Sequence, residues 1–234
     1  MNWNTSWWRG LDPEGDKKKW RYTLWDMDAC FGHYTNYTNI PDESAEADPC
    51  NAENLPDPGG EGHTEIMTAL MDHPEFEQYY ISRYIDLGNT IFSCDHMIPM
   101  LDSLIGMITP EMPGHIARWG GSMTQWQQNV TDMRDFIIER CTAIDGGLID
   151  CYDLSGPYPV KYNVFPAGAG EIDINSVTPS NYVFEGDYFG GIDILLDADP
   201  NTGYTFSHWE IINNTLDSAL TNDKNSLQIT QPDS

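Results

Sequence analysis

The chain has 234 residues, 40% hydrophobic and 12% aromatic, which supplies one sizeable core, or one core and a small module, and excludes a disordered polypeptide. Its 37 acidic side chains against 11 basic ones give a net charge of −26, a surface that repels nucleic acid and anionic lipid and suits a cation-rich medium or the outside of a cell. No run of about 18 apolar residues occurs, so no transmembrane segment is expected, and the N-terminus, "MNWNTSWWRG", lacks a charged-then-apolar leader pattern.

Three tryptophans within the first eight residues read as core material already under way, as in a chain that starts inside a longer protein. Residues 17–25 alternate as a strand. It runs into "WDMDACFG", which sets Asp26 and Asp28 among Trp25, Met27 and Phe31 and closes on Gly32. Residues 33–63 are poor in aliphatics and rich in Pro, Gly, Asn and acids, a long loop of the kind that is either functional or disordered.

From Thr64 the period becomes helical. Pro74 marks a helix start with Glu75 and Glu77 in the first turn, and Phe76, Tyr80, Tyr84, Leu87 and Ile91 form one stripe expected to be buried. "DHMIPMLDSLIGMI" is a second helix with Asp95 as its candidate cap, and "TPEMPGHIARWG" a short third. A fourth is capped near Ser122, turns Trp126, Val130, Met133, Phe136 and Ile137 inward, and is expected to end at "DGG", 145–147. After about Ser155 the chain breaks into short strands punctuated by Gly, Pro and Asn, an all-β module without internal repeat. The expected fold is α+β, a mostly helical lobe over 1–155 followed by a small sandwich-like β module over 156–234.

Five cysteines, at 30, 50, 94, 141 and 151, show no CxxC and no zinc spacing. Cys141 with Cys151 and Cys30 with Cys50 are candidate disulfides, against buried free thiols. "KKKWR" (17–21) is the one basic cluster, read as a solvated turn rather than a phosphate-steering site. Glu111, His115 and Arg118, at i, i+4 and i+7 of one helix, are expected to form a buried salt-bridge network rather than a catalytic group. "DADPNTG" (197–203) imitates a calcium loop, but its Gly203 falls at the seventh position and His208 at the twelfth, so a β-turn is expected.

A carboxylate at the end of an apolar strand is costly unless it is paired, hydrogen-bonded or bound to a metal. Hard divalent cations take carboxylate oxygens and keep water and phosphate as further ligands. The "WDMDACFG" acids therefore read either as metal ligands presented to a nucleotide or as a pair capping a turn. Asn4, in "NWNTSWWRG", is a usable neutral metal ligand beside a carboxylate, or a turn residue.

Taken in order, "NWNTSWWRG", "KKWRYTLWDMDACFG", "HPEFEQYYISRYIDLGNTIF", "ITPEMPGHIARWGGS" and "WQQNVTDMRDFIIER" resemble the second half of the CotH kinase family, spore-coat-H-type atypical protein kinases with a protein-kinase-like fold. The resemblance covers about the first 150 residues. It implies that Asp26, six residues before Gly32, binds the metal of the D-x-x-x-x-F-G arrangement, that Asp28 is the second candidate, and that Asn4 holds a second metal. It also implies Mg²⁺ or Mn²⁺, ATP as co-substrate, and a protein substrate phosphorylated on Ser or Thr. The family's catalytic Asp and phosphate-gripping Lys would lie before Met1, so the isolated chain is expected to be inactive. Residues from about 160 to 215 resemble internalin-B-repeat-like bacterial modules through Ala198, Pro200, Gly203, Tyr204, Phe206 and Trp209, with the Trp one place late. Together the two resemblances imply a secreted or cell-surface protein. The other reading is a non-catalytic cell-surface binding or adhesion protein in which the kinase-like lobe is a scaffold.

Overall fold

The computed structural model describes residues 5–11, 18–24, 30–32, 42–50 and 63–233. Strands β1 (Thr5–Trp8) and β2 (Arg21–Leu24) pair antiparallel with Thr5 opposite Leu24. Helices follow: α1 (His63–Met71), α2 (Pro74–Gly88), α3 (Cys94–Ile108), a 3-10 turn (Thr109–Glu111), α4 (Met112–Trp119) and α5 (Met123–Tyr152). The rest is β: β3 (Ser155–Tyr162), β4 (Gly170–Ile174), β5 (Phe184–Gly190), β6 (Ile194–Pro200), β7 (Thr215–Leu216) and β8 (Lys224–Gln228). Strands β3 and β5 form one antiparallel pair, and β4, β6, β8 and β7, in that order, an antiparallel sheet. The architecture is α+β, a helical lobe followed by a small β module.

The helix starts follow local chemistry. Pro74 opens α2, where a missing N–H costs nothing, with Glu75 and Glu77 in its first turn. Ser122 caps α5, its Oγ accepting from Gln125 N at 3.1 Å. Asp95 is not a cap: Ser93 stands at that position of α3, without a side-chain cap bond, and Asp95 sits in the first turn.

Helix α5 does not end at 145–147. It continues through both glycines to Tyr152 and closes at Asp153, in the left-handed conformation (φ 53°) that helix ends favour. Gly147 serves a close approach, because a Cβ there would meet Pro49 Cδ at 2.6 Å. This corrects the disulfide expectation too. Cys141 and Cys151 share one helix, about 15 Å apart along its axis, whereas a disulfide needs Cα atoms within about 7 Å. The pairs are instead Cys50–Cys151 and Cys94–Cys141, and Cys30 belongs to neither.

One apolar cluster spans the β module and reaches into the helical lobe. Tyr188, Ile172, Ile174, Ile194, Leu196 and Leu227 from the sheets pack with Ile81 and Ile85 of α2 and Leu148 of α5. Each such aliphatic side chain contributes about 1.5–3 kcal/mol through burial. The buried face of α2 is therefore Ile81, Ser82, Ile85 and Asp86, one position off the aromatic stripe; Tyr80 and Tyr84 are partly buried and Ile91 is half-exposed.

Polar residues along the same face and at its C-terminal cap dock α2 onto the β module, at two connections and on strand β5. Gln78 Nε2 donates to Asp193 O at 2.8 Å. Asn89 pairs with the backbone of Asp187, donating to its carbonyl at 2.8 Å and accepting from its N–H at 2.9 Å. Between them Asp86, 1% exposed, accepts from the backbone N–H of Ser176 (2.9 Å), from its hydroxyl, and from Asn175 Nδ2 (3.3 Å). Arg83 Nη1 donates to the Ser176 Oγ at 2.8 Å. Asn175 and Ser176 form the tight turn after β4, where Asn175 adopts φ 49° and Ile174 and Val177 exchange backbone bonds.

Burial holds the Asp86 carboxyl above the ordinary carboxylate value, against the opposing pull of the Ser176 and Asn175 hydrogen bonds and of Arg83. A folded-state pKa above the unfolded one means that the native state takes up the proton more readily. The associated stability is fully present below the unfolded carboxylate range and is lost as pH rises through the raised folded value. Matched denaturant titrations should show the wild type gaining on Asp86→Asn as pH falls from neutral through the mildly acidic range; a pH-independent difference contradicts this. At neutral pH, Asp86→Ala strands the Ser176 N–H and should cost about 1–3 kcal/mol.

Candidate functional site

The candidate metal ligands Asn4, Asp26 and Asp28 lie outside the described residues. Their flanks are described. Asn4 precedes Thr5 and Asp26 follows Leu24 by two positions, and the register sets Thr5 opposite Leu24. The two strand ends that lead to these residues are thus side by side. The hairpin is further held by cation–aromatic contacts: Arg21 over Trp8, its directly opposed partner, at 5.3 Å, and Arg9 over Trp20 at 5.1 Å.

On the far side of the acids the chain turns at Phe31 and Gly32, both left-handed (φ 58° and 65°). For Phe31 this conformation costs about 1–2 kcal/mol. Helix α5 supplies a compensating contact: the Phe31 ring meets Phe136 edge-to-face at 5.9 Å, and a Cβ on residue 32 would sit 3.3 Å from the same ring. Glycine at 32 therefore meets both a backbone and a packing requirement.

Residues 42–50 return against the same helix. Arg140 donates to the carbonyls of Ala45 (3.1 Å) and Ala47 and to the Tyr84 hydroxyl (3.1 Å), joining this segment, α5 and α2. Ala45 and Pro49 are buried, the latter against Gly147, and Cys50 is bonded to Cys151. Asp42 accepts from Ser44 N at 2.8 Å, and this backbone hydrogen bond holds its carboxyl below the ordinary value.

Phe136 is partly buried, as its place among the inward positions of the helix leads one to expect, whereas Arg140 and the Cys50–Cys151 link carry no motif. The signal that was available is an arginine among the inward-facing positions of an amphipathic helix. Glu111, His115 and Arg118 are corrected as well: all three are exposed, no ion pair joins them, and Arg118 lies over Trp119 at 4.8 Å. Glu111 falls in the 3-10 turn rather than on α4, so the assumed helical register does not hold. Lys18 and Lys19 are exposed. The 197–203 stretch ends strand β6 and turns with Tyr204 N donating to Asn201 O at 2.9 Å, as a β-turn. Among the described residues no group of three His, Cys, Asp or Glu side chains is placed to hold a metal ion.

A family model described as CotH kinase protein matches residues 1–144. No curated protein and no solved structure matches the chain.

Arg140→Ala should release the 42–50 segment from α5. Limited proteolysis within it should accelerate about tenfold, the equivalent of one lost charged hydrogen bond. Arg134→Ala, which removes an exposed ion pair to Asp102, should leave that rate unchanged. Equal rates in the wild type and Arg140→Ala would show that the tether is inert.

Proposed function

The chain belongs to the CotH kinase family, and on that premise we propose that it carries the metal-binding helical lobe of an ATP-dependent protein kinase acting on serine or threonine hydroxyls of a protein substrate. The supporting observation is the Phe31–Gly32 turn, seated on Phe136 of α5 directly after the acidic pair. A turn fixed on a helix is the kind of firm element that positioning of a phosphoryl acceptor and donor requires.

Asp26, Asp28 and Asn4 offer carboxylate and amide oxygens, the donor set that hard divalent cations take. Asp26 would hold Mg²⁺ or Mn²⁺, with Asp28 assisting and Asn4 on a second ion. Bound there, the metal would neutralise charge on the ATP phosphates. The elements of the protein that flank these residues are β2 on one side and the Phe31–Gly32 turn, packed on α5, on the other.

We place the protein outside the cell or at its surface. Two disulfides and the strongly acidic composition support an oxidising compartment. No helix among the described residues is long and apolar enough to cross a membrane. We assign residues 1–155 to the kinase lobe and 156–234 to an appended module of the internalin-B-repeat-like kind. Its Trp209, buried against Phe206 at 5.2 Å, supports that reading.

In the whole protein, Asp26→Ala should lower autophosphorylation from ATP with Mg²⁺ or Mn²⁺ by about 10²–10³-fold or more, while Glu111→Gln leaves it unchanged. Wild-type rates in Asp26→Ala would remove this carboxylate from the site.

A further inference from the structure

The β module contains a cleft of about 480 Å³ between two walls. One is strand β3 and the chain just after it, through Val160, Tyr162 and Phe165. The other is the irregular connection from β6 to β7, residues 201–214, through Tyr204, Phe206 and Trp209. A segment outside helix and strand depends on its own anchors. At its start Asn201 N donates to Ala169 O at 2.9 Å. In its middle Trp209 N donates to Leu220 O and the indole N–H to Asn222 O, both at 2.8 Å. At its end the backbone N–H groups of Ile212, Asn213 and Asn214 converge on one carboxylate, that of Asp233.

Successive backbone N–H groups turned to one point form an anion-binding nest. Ile212 N donates to Asp233 Oδ1 at 3.1 Å and Asn214 N to Oδ2 at 2.9 Å; Asn213 N is shared between the two oxygens, and Asn214 Nδ2 adds a bond at 2.7 Å. The carboxylate, on a residue only 7% exposed, is thus satisfied by the protein's own donors. The backbone of Asp233 reaches the opposite wall. Its N–H donates to Pro159 O and its carbonyl accepts from Lys161 N, each at 3.1 Å, as a parallel bridge beside Val160. Of these anchors it is the one that ties the 201–214 connection to β3, and Asp233 itself lines the cleft. The approach to Asp233 is held by polar contacts. After Ile229, which is buried, Thr230, Gln231 and Pro232 are exposed. Thr230 N donates to Asn214 Oδ1 at 2.9 Å, and the side-chain amides of Asn213 and Asn214 donate to Pro232 O and Gln231 O at 2.8 Å.

We propose that residues 230–233 are a strap that governs access to the cleft, with Asp233 as its latch. Latched, Asp233 holds the 201–214 wall to β3. Released, the nest empties and the wall moves away from β3, while Leu227 and Ile229 stay buried and keep the core intact. A segment with exposed backbone bonds and little buried apolar surface opens locally, below the free energy of global unfolding. The device stands apart from the phosphotransfer reading. It uses none of Asn4, Asp26 or Asp28, so a failure of either proposal leaves the other in place.

The test is amide hydrogen exchange of the full chain, read beside binding of the neutral apolar dye Nile red. In the wild type the amides of Lys161, Ile212, Asn213 and Asn214 should open together, in a step more frequent than the one that exposes β6 at Leu196. Asp233→Asn should speed these amides about tenfold, the equivalent of one lost charged hydrogen bond, leave β6 unchanged and strengthen dye binding several-fold. Asn214→Ala, which removes one bond from the latch, should act in the same direction to a smaller degree. Glu65→Gln, on exposed helical surface, removes the same charge as Asp233→Asn and should leave both readings at the wild-type level. Strap amides that exchange only together with β6 in the wild type would overturn the proposal. So would equal acceleration of strap and β6 in Asp233→Asn, or faster strap exchange without a gain in dye binding. Should Asp233→Asn fail to fold, the wild-type exchange and Asn214→Ala decide the matter.

Discussion

Asp86 is where the helical lobe and the β module hold each other. A carboxylate buried to this degree is tolerated because the tight turn after β4 supplies a backbone N–H, a hydroxyl and an amide, while Arg83 grips the same serine from the helix side. Gln78 and Asn89, eight residues before and three after, repeat the device at the β5–β6 connection and on strand β5. Helix α2 thus presents a polar stripe that reads backbone groups and, beside it, Ile81 and Ile85 that enter the apolar cluster. The β module is not a bead on a linker: part of its core is a helix more than seventy residues upstream.

Helix α5 carries the same coupling toward the candidate site. Along its length it meets the Phe31–Gly32 turn through Phe136, grips residues 45 and 47 through Arg140, bonds Cys94 and Cys50 through Cys141 and Cys151, and makes room for Pro49 at Gly147. Its last turn, at Leu148, then enters the shared core. The turn that follows the acidic pair and the cluster that stabilises the β module are therefore fixed to one rigid element. Arg140 also reaches Tyr84, which closes the connection back to α2.

Local chemistry made much of this legible. Pro74 and Ser122 announce helix starts because they act on backbone groups one turn away, and the change to Gly-, Pro- and Asn-punctuated strands after Ser155 marks the β module. What failed depended on distant partners. The aromatic stripe on α2 is the natural choice for burial, yet Asp86 is buried because a turn ninety residues away satisfies it, and Ser82 is buried with its hydroxyl accepting from Gln78. The two glycines in α5 read as a stop, but Gly147 answers a steric demand from Pro49, and once the helix continues the Cys141–Cys151 pairing becomes geometrically impossible. At the candidate site, the acids and the Phe–Gly turn were legible as a motif. Phe136 is legible as an inward position of its helix, whereas its partner Phe31 and the grip of Arg140 on residues 45 and 47 emerge only from packing.

Helix α2 and the β module form one cooperative core, and native-state amide hydrogen exchange across a denaturant series tests this most directly. The slowest amides of α2, at Ile81–Asp86, and those of β4 and β6, at Ile172 and Leu196, should share one opening free energy and lose protection together. If the α2 amides open through a separate, lower-energy step while the strands stay protected, the core is not shared.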